Sequence, residues 1–281
     1  MKKIIQISIC TLLAFLAGYK AHKNQVFPLN AFIERNLLEE EVTKKWQKKI
    51  SVYSSLTNKS EVNCPAEEDA YVIIGFGQSN SANYAGHRFY TNKNVVNFFN
   101  GKCYVAIDPL LGATGKGGSV WIPLSERLNV QDKTIVLSTF GVASSRVSDW
   151  LNEDYLLPFY KENIDALKKK YNKPNAIFWI QGESDVSTQN GVFSQQLKDW
   201  FELLRSDFSD SNIFVTGTSY CSGKFNDAVL SVQRKQAESI GAIYISSTDK
   251  LVQHGFRYDD CHFSEKGINA LASLIRESWI K

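Results

Sequence analysis

The stretch "VIIGFGQSN" (72–80) delivers Ser79 on a polar turn, while Asp259 and His262 stand three residues apart in "YDDCHFSEKG" (258–267). A serine hydroxyl attacks a carbonyl well only if a base takes its proton. Histidine suits that task near neutral pH, and a carboxylate beside it fixes the imidazole tautomer and stabilises the charged ring. Ser79, Asp259 and His262 therefore suggest a nucleophile, an orienting acid and a general base for acyl transfer. The oxyanion formed on attack needs donors, and the backbone N–H groups of Ser79 and Gly141 with the Gln181 side-chain amide are the candidates. Asn80 and Glu183 are supporting polar groups, Glu183 either ordering the rim or helping to orient His262. This chemistry requires no metal and no cofactor, and C-x-x-C spacing of the kind that holds structural zinc is absent.

These residues are far apart in the chain, so the elements between them must bring them together. Short β-rich runs occur at 70–76, 133–140, 175–180, 212–219 and 242–248, and helical patterns at about 154–171, 190–208, 226–240 and 264–280. Apolar strands alternating with helices predict a three-layer α/β/α, doubly wound domain with a mainly parallel five-stranded sheet. In such a fold ligands meet the carboxyl ends of the strands, where the segments of Ser79, Gly141, Gln181 and His262 all fall. Residues 87–132 break the rhythm. They read as an inserted β-hairpin turning at Asn100-Gly101, then a glycine-rich loop, "GATGKGGS" (112–119), which lacks the phosphate-loop spacing and reads as a surface or rim loop. Trp150 and Trp179 read first as core, with Trp150 close enough to the Gly141 block to line a substrate rim. Arg146 and Asp149 read as rim residues without a chemical role, and His22, His87 and His254 as structural.

The chain has 281 residues, 22% charged and 12% aromatic, with a formal net charge of +3. That is a folded composition with no electrostatic reason to expect nucleic acid as a partner. Lys2 and Lys3 precede an uncharged run from Ile4 to Tyr19, so 1–23 reads as a signal anchor or signal peptide. The poor cleavage sites favour an anchor, with the rest of the protein exported and membrane contact confined to this segment. Residues 24–69 read as an amphipathic helix (Leu38, Val42, Trp46, Ile50, Tyr53) and a polar linker, and 70–281 as the main domain. Export makes disulfides plausible for the four cysteines outside the apolar run. Cys221 follows the fourth strand and Cys261 the fifth, which predicts a pair on one rim. Cys64 and Cys103 remain as the second pair.

The blocks "GFGQSN", "STFGVASSRVSDW", "FWIQGESD" and "DDCHFSEKG", in this order at strand ends, resemble those of the SGNH hydrolase superfamily, and within it the sialate O-acetylesterase-like carbohydrate esterases. "NFFNGKCYVAIDPL" resembles the strand pair that this group carries between its first two blocks. The resemblance runs from about residue 70 to the C-terminus. It implies a serine esterase that removes O-acetyl groups from a carbohydrate, with Ser79 as nucleophile, Asp259 and His262 as acid and base, and Gly141 and Gln181 in the oxyanion hole. The same residues would serve a polysaccharide O-acetyltransferase, which passes the acetyl group to another sugar. A carbohydrate-binding module on a degenerate hydrolase fold is the non-enzymatic alternative.

Overall fold

The computed structural model describes residue 56 and residues 59–279. The apolar segment 1–23 and the helix expected over Leu38–Tyr53 lie outside the described residues.

Among the described residues eight strands form one sheet: β1 (Glu61–Val62), β2 (Ala70–Gly77), β3 (Val95–Phe99), β4 (Lys102–Val105), β5 (Thr134–Thr139), β6 (Ala176–Ile180), β7 (Asn212–Thr216) and β8 (Ile243–Ile245). Their order is β1-β4-β3-β5-β2-β6-β7-β8, parallel from β3 to β8 and antiparallel at β4 and β1. The run before Ser79 is the central strand β2, flanked by β5 and β6. From β2 the chain passes to β3 and β4, returns to β5 beside β2, and then crosses to β6, β7 and β8 on the other side, so the connections change side at β2, where a crevice opens at the strands' carboxyl ends.

The sheet is wider than the five strands read from the sequence. The hairpin does turn at Asn100-Gly101, both with positive φ (48° and 77°), but β3 docks parallel to β5 and so extends the sheet. Part of the expected linker belongs to the sheet as well. β1 pairs with β4, and the Cys64–Cys103 disulfide holds it there with a Cα separation of 5.1 Å. Two residues, Glu61 and Val62, are too few to give a periodic signal, so only the partner strand reveals this element.

Among the described residues six α-helices cover the faces: α1 (Trp121–Arg127), α2 (Val147–Trp150), α3 (Leu156–Lys168), α4 (Asn190–Asp207), α5 (Asp227–Ser239) and α6 (Glu265–Trp279). The longer four match the expected helices, while α1 and α2 are too short to show a periodicity. Alternate strand residues point to opposite faces. On one face Ile73, Phe178 and Phe214 pack with Trp121 of α1 and with Leu271 and Ile275 of α6. On the other, Phe76, Phe140 and Trp179 meet Trp150, Tyr160 and Trp200 from α2, α3 and α4 in an aromatic cluster. Asn226 caps α5 by accepting from the amides of Ala228 and Val229, and the Ser264 hydroxyl accepts from Gly267 at the start of α6. No helix among the described residues is long and apolar enough to cross a membrane.

The glycine-rich loop is largely buried and not a surface loop. Gly115, Gly117 and Gly118 lie against the backbone of 83–87, and Gly112 against that of Thr139: a Cβ on Gly118 would meet the His87 carbonyl oxygen at 1.7 Å. Asn83 Nδ2 donates to the carbonyls of Leu110 and Ala113, and its Oδ1 accepts from Leu110 N. Beside this loop, Asp108 is buried. Its Oδ2 accepts from the amides of Phe89 and Ser119, both at 3.0 Å, and its Oδ1 accepts from the Ser119 hydroxyl at 2.8 Å. Burial pushes its carboxyl up to about 7, against these donors and the Lys59 charge. The folded state therefore holds a proton that the unfolded chain releases near pH 4, and stability falls as pH rises from about 4 through about 7. Asp108→Asn can keep the amide bonds through Oδ1 and donate from Nδ2 to Ser119. It is expected to fold and to show a smaller loss of Tm between pH 4.5 and 7.5 than the parent, measured by thermal melts.

Candidate active site

β2 ends in a short 3-10 turn, Ser79–Ser81, in which all three residues are buried. Ser79 is 5% exposed, and its hydroxyl makes no hydrogen bond to a described residue. The loop after β5 comes close to this turn. A Cβ on Gly141 would lie 2.5 Å from Ser81 Oγ and 3.1 Å from Ala82 N, so only glycine allows that approach. Phe140 N and Val142 N donate to the carbonyls of Gly75 and Gly77 in β2. The intervening Gly141 N–H has no acceptor among the described residues, and neither has the N–H of Ser79. Thr114 braces the same loop: its N donates to Gly141 O (2.9 Å) and its Oγ1 accepts from Ala143 N (2.9 Å).

Asp259 and His262 occupy a tight hairpin between β8 and α6. Arg257 and Phe263 form an antiparallel bridge, and Tyr258 N donates to His262 O (3.0 Å). Asp259 has two tasks. Its Oδ1 accepts from the amides of Cys261 (3.0 Å) and His262 (2.6 Å), an Asx-type turn that shapes the tip. Its Oδ2 lies 2.7 Å from His262 Nδ1 and holds the ring. Partial burial tends to raise the Asp259 carboxyl, but the hydrogen bonds from the His262 ring and from the two amides outweigh it, leaving the carboxyl below its usual value.

Asn80 links this hairpin to the serine turn. Its Nδ2 donates to Glu183 Oε1 (2.6 Å) and to Cys261 O (3.4 Å). The residue after the nucleophile candidate thus touches the residue before the base candidate. Arg257 Nη1 donates to the same carbonyl, Arg257 Nε donates to Leu251 O (3.1 Å), and the guanidinium stacks over Phe263 at 4.3 Å. Glu183 is buried, which raises its pKa against the Asn80 bond. Its carboxylate holds Asn80, whereas the carboxylate that meets the histidine ring is that of Asp259.

Gln181 is 1% exposed and ties three loops together. Its Nε2 donates to Ser145 O (2.6 Å) and Asp185 Oδ2 (2.8 Å), with Gln78 Oε1 at 3.2 Å, so both amide protons have acceptors inside the rim. Gln78 Oε1 also accepts from Ser184 N (3.0 Å). Burial pushes the Asp185 carboxyl up to about 6, against its bonds from Gln181 and from Val147 N. Trp150, expected as a substrate-rim candidate, is not at the rim. It is fully buried in the aromatic cluster and donates from Nε1 to Ser145 Oγ (3.1 Å), because α2 turns its apolar face to the sheet. Sequence reasoning passed over Gln78, Ser145 and Asp185 although they lie inside the motif blocks. Asn83 and Thr114 carry no local signal.

The Cys221–Cys261 disulfide joins the loop after β7 to the hairpin, with Cα atoms 4.2 Å apart. Ser222 N donates to Asp260 O (2.9 Å) and Tyr220 Oη to Asp260 Oδ1 (2.5 Å) beside it. The bridge spans a sequence separation of 40, for which loop-closure entropy predicts about 4 kcal/mol of stabilisation. Replacing both cysteines by alanine is expected to lower the unfolding free energy by up to about that much in denaturant melts. The hairpin should nevertheless keep its position, because Asn80 and Arg257 still hold it through the carbonyl of residue 261.

No curated protein sequence matches the chain. Among solved structures, it is similar to a protein from Arabidopsis thaliana (TM-score 0.60, 16% identity, covering 77% of this chain and 98% of that one). It is also similar to NanS (TM-score 0.55, 15% identity, 77% and 98% covered). A putative GDSL-like lipase from Parabacteroides merdae is a third (TM-score 0.54, 13% identity, 78% and 98% covered). At such identities the likeness shows the fold alone, a three-layer α/β/α arrangement. The family model for carbohydrate esterases, sialic acid-specific acetylesterase, matches residues 67–281 and so takes in every strand from β2 onward together with all the site loops. On that match the chain belongs to the carbohydrate esterase family of sialic acid-specific acetylesterases.

Proposed function

We propose that this protein is an exported serine esterase that removes O-acetyl groups from a carbohydrate through an acetyl-serine intermediate. The observation that carries the reading is the Asp259–His262 pair at 2.7 Å, on a hairpin joined to the Ser79 turn through Asn80 and Cys261. Ser79 Oγ attacks the acetyl carbonyl while His262 Nε2 takes its proton. The tetrahedral intermediate then expels the sugar oxygen, which His262 protonates as it leaves. Water, deprotonated by the same ring, attacks the acetyl-serine, and acetate departs as Ser79 regains its proton. Asp259 keeps the ring oriented and stabilises its charged form.

The Ser79 and Gly141 amides, free of acceptors among the described residues, donate to the oxyanion in this reading, and Gln181 becomes the third donor when one of its protons leaves an internal acceptor. Asn80 and Glu183 keep the turn and the hairpin in register. The family match supports an acetylated sugar as substrate, and two disulfides support an oxidising compartment outside the cytoplasm. Residues 1–23 serve as the export signal or membrane anchor. Intact mass of the native protein tests retention, since an anchor stays and a signal peptide is lost.

The deciding experiment is incubation of the purified protein with O-acetylated glycans, following free acetate and acetylated acceptors by mass spectrometry. Release of acetate alone supports the esterase. Acetyl transfer to an added sugar acceptor favours a transferase using the same residues, and the absence of both overturns the reading.

A further inference from the structure

Tyr258 lies directly across the hairpin from His262. Its N–H donates to the His262 carbonyl at 3.0 Å, and partners opposed in this way project their side chains from the same face. The two rings are nearly parallel, with centroids 6.2 Å apart and planes at 27°. Tyr84 also stacks on His262, at 5.2 Å and 25°. The Tyr258 hydroxyl donates to Tyr84 O (3.2 Å), and the ring lies close over Gly86, where a Cβ would come within 2.8 Å of its Cδ1. The ring is thus held at its hydroxyl and along one edge, yet Tyr258 remains 54% exposed. Tyr90 and Phe225 are more exposed, at 72% and 65%, but neither has a ring contact with His262.

The chemistry says which part of the substrate lies there. His262 returns its proton to the departing sugar oxygen, so the alcohol half of the ester must sit beside the imidazole, while the acetyl half sits at Ser79 and the oxyanion donors. A sugar ring has C–H faces that pack on an aromatic surface and hydroxyl edges that stay in water. A half-exposed tyrosine, apolar in body and polar at its tip, meets both needs. Because the ring is already positioned, little side-chain entropy is lost on binding.

We propose that the exposed face of Tyr258 is the platform for the sugar ring that carries the scissile acetyl group, so that Tyr258 selects carbohydrate esters over small acyl esters. This rests on the carbohydrate-esterase reading of the site. The test compares Tyr258→Ala and Tyr258→Phe with the parent, on 4-nitrophenyl acetate and on three acetylated sugars: an O-acetylated sialic acid, an O-acetylated peptidoglycan disaccharide and glucose pentaacetate. With the sugar that the parent cleaves best, Tyr258→Ala is expected to raise KM about tenfold, an amount in keeping with one lost aromatic contact, while kcat changes less. Its kcat/KM for that sugar relative to 4-nitrophenyl acetate should fall by a similar factor. Tyr258→Phe keeps the ring and should recover most of the KM. Equal losses on sugar and aryl ester in Tyr258→Ala, or a sugar KM that does not move, would overturn the platform and leave the esterase standing. A parent enzyme that cleaves only the aryl ester overturns both.

Discussion

Ser79→Ala is expected to reduce acetyl-ester turnover by about 10⁵–10⁶ and to abolish labelling by a fluorophosphonate, with thermal stability nearly unchanged. The hydroxyl makes no hydrogen bond to any described residue, so its removal leaves no buried partner unsatisfied. The turn itself is held by other groups: Ser81 N and Ser81 Oγ both bond to the Gln78 carbonyl, and Ala82 N donates to Ser79 O. The variant should therefore bind acetylated sugar but form no acetyl-enzyme, as intact mass after mixing with substrate would reveal. Normal turnover or labelling in the variant would reduce Ser79 to a turn residue and remove the mechanism.

Asp259→Asn is expected to lower kcat by about 10⁴ while leaving KM and the fold close to those of the parent. The reason lies in the two tasks of this carboxylate. An asparagine Oδ1 can still accept from the amides of Cys261 and His262, which keeps the hairpin tip in shape. Its Nδ2 then faces His262 Nδ1 as a donor and imposes the tautomer with the proton on Nε2. That ring cannot take a proton from Ser79. Asp259→Ala removes the turn as well as the orientation, so it should lose stability in addition to activity, and comparing the two variants in melts and kinetics separates the tasks. Glu183→Gln should fall well short of the Asp259→Asn loss, because Glu183 holds Asn80 and not the ring. Equal losses would move the orienting role to Glu183.

Much of this protein is legible in its sequence, and the reason is local. β2, β5, β6 and β7 are apolar runs bounded by turn residues, and α3 to α6 each repeat their buried positions over at least three turns, so each element declares itself without its partners. Alternation of strand and helix then dictates a parallel sheet, which gathers the strand-end blocks of Ser79, Gly141, Gln181 and His262 on one rim. The Cys221–Cys261 bridge follows from the same topology, since both residues had to lie on that rim. Other features depend on which surfaces meet across a hundred residues or more, and no local pattern encodes that. β1 exists only because β4 offers it an edge, and Trp150 faces the core because α2 packs on α4, not because of its distance from Gly141. The glycines of 112–119 admit a neighbouring backbone, not solvent or phosphate. At the site, the residue types announced acyl-transfer chemistry. Which carboxylate holds the imidazole, which amides are left without acceptors and which aromatic ring stands half-exposed beside His262 were decided by tertiary packing, because hydrogen bonds are directional and each donor's partner is set by where the other loops come to rest.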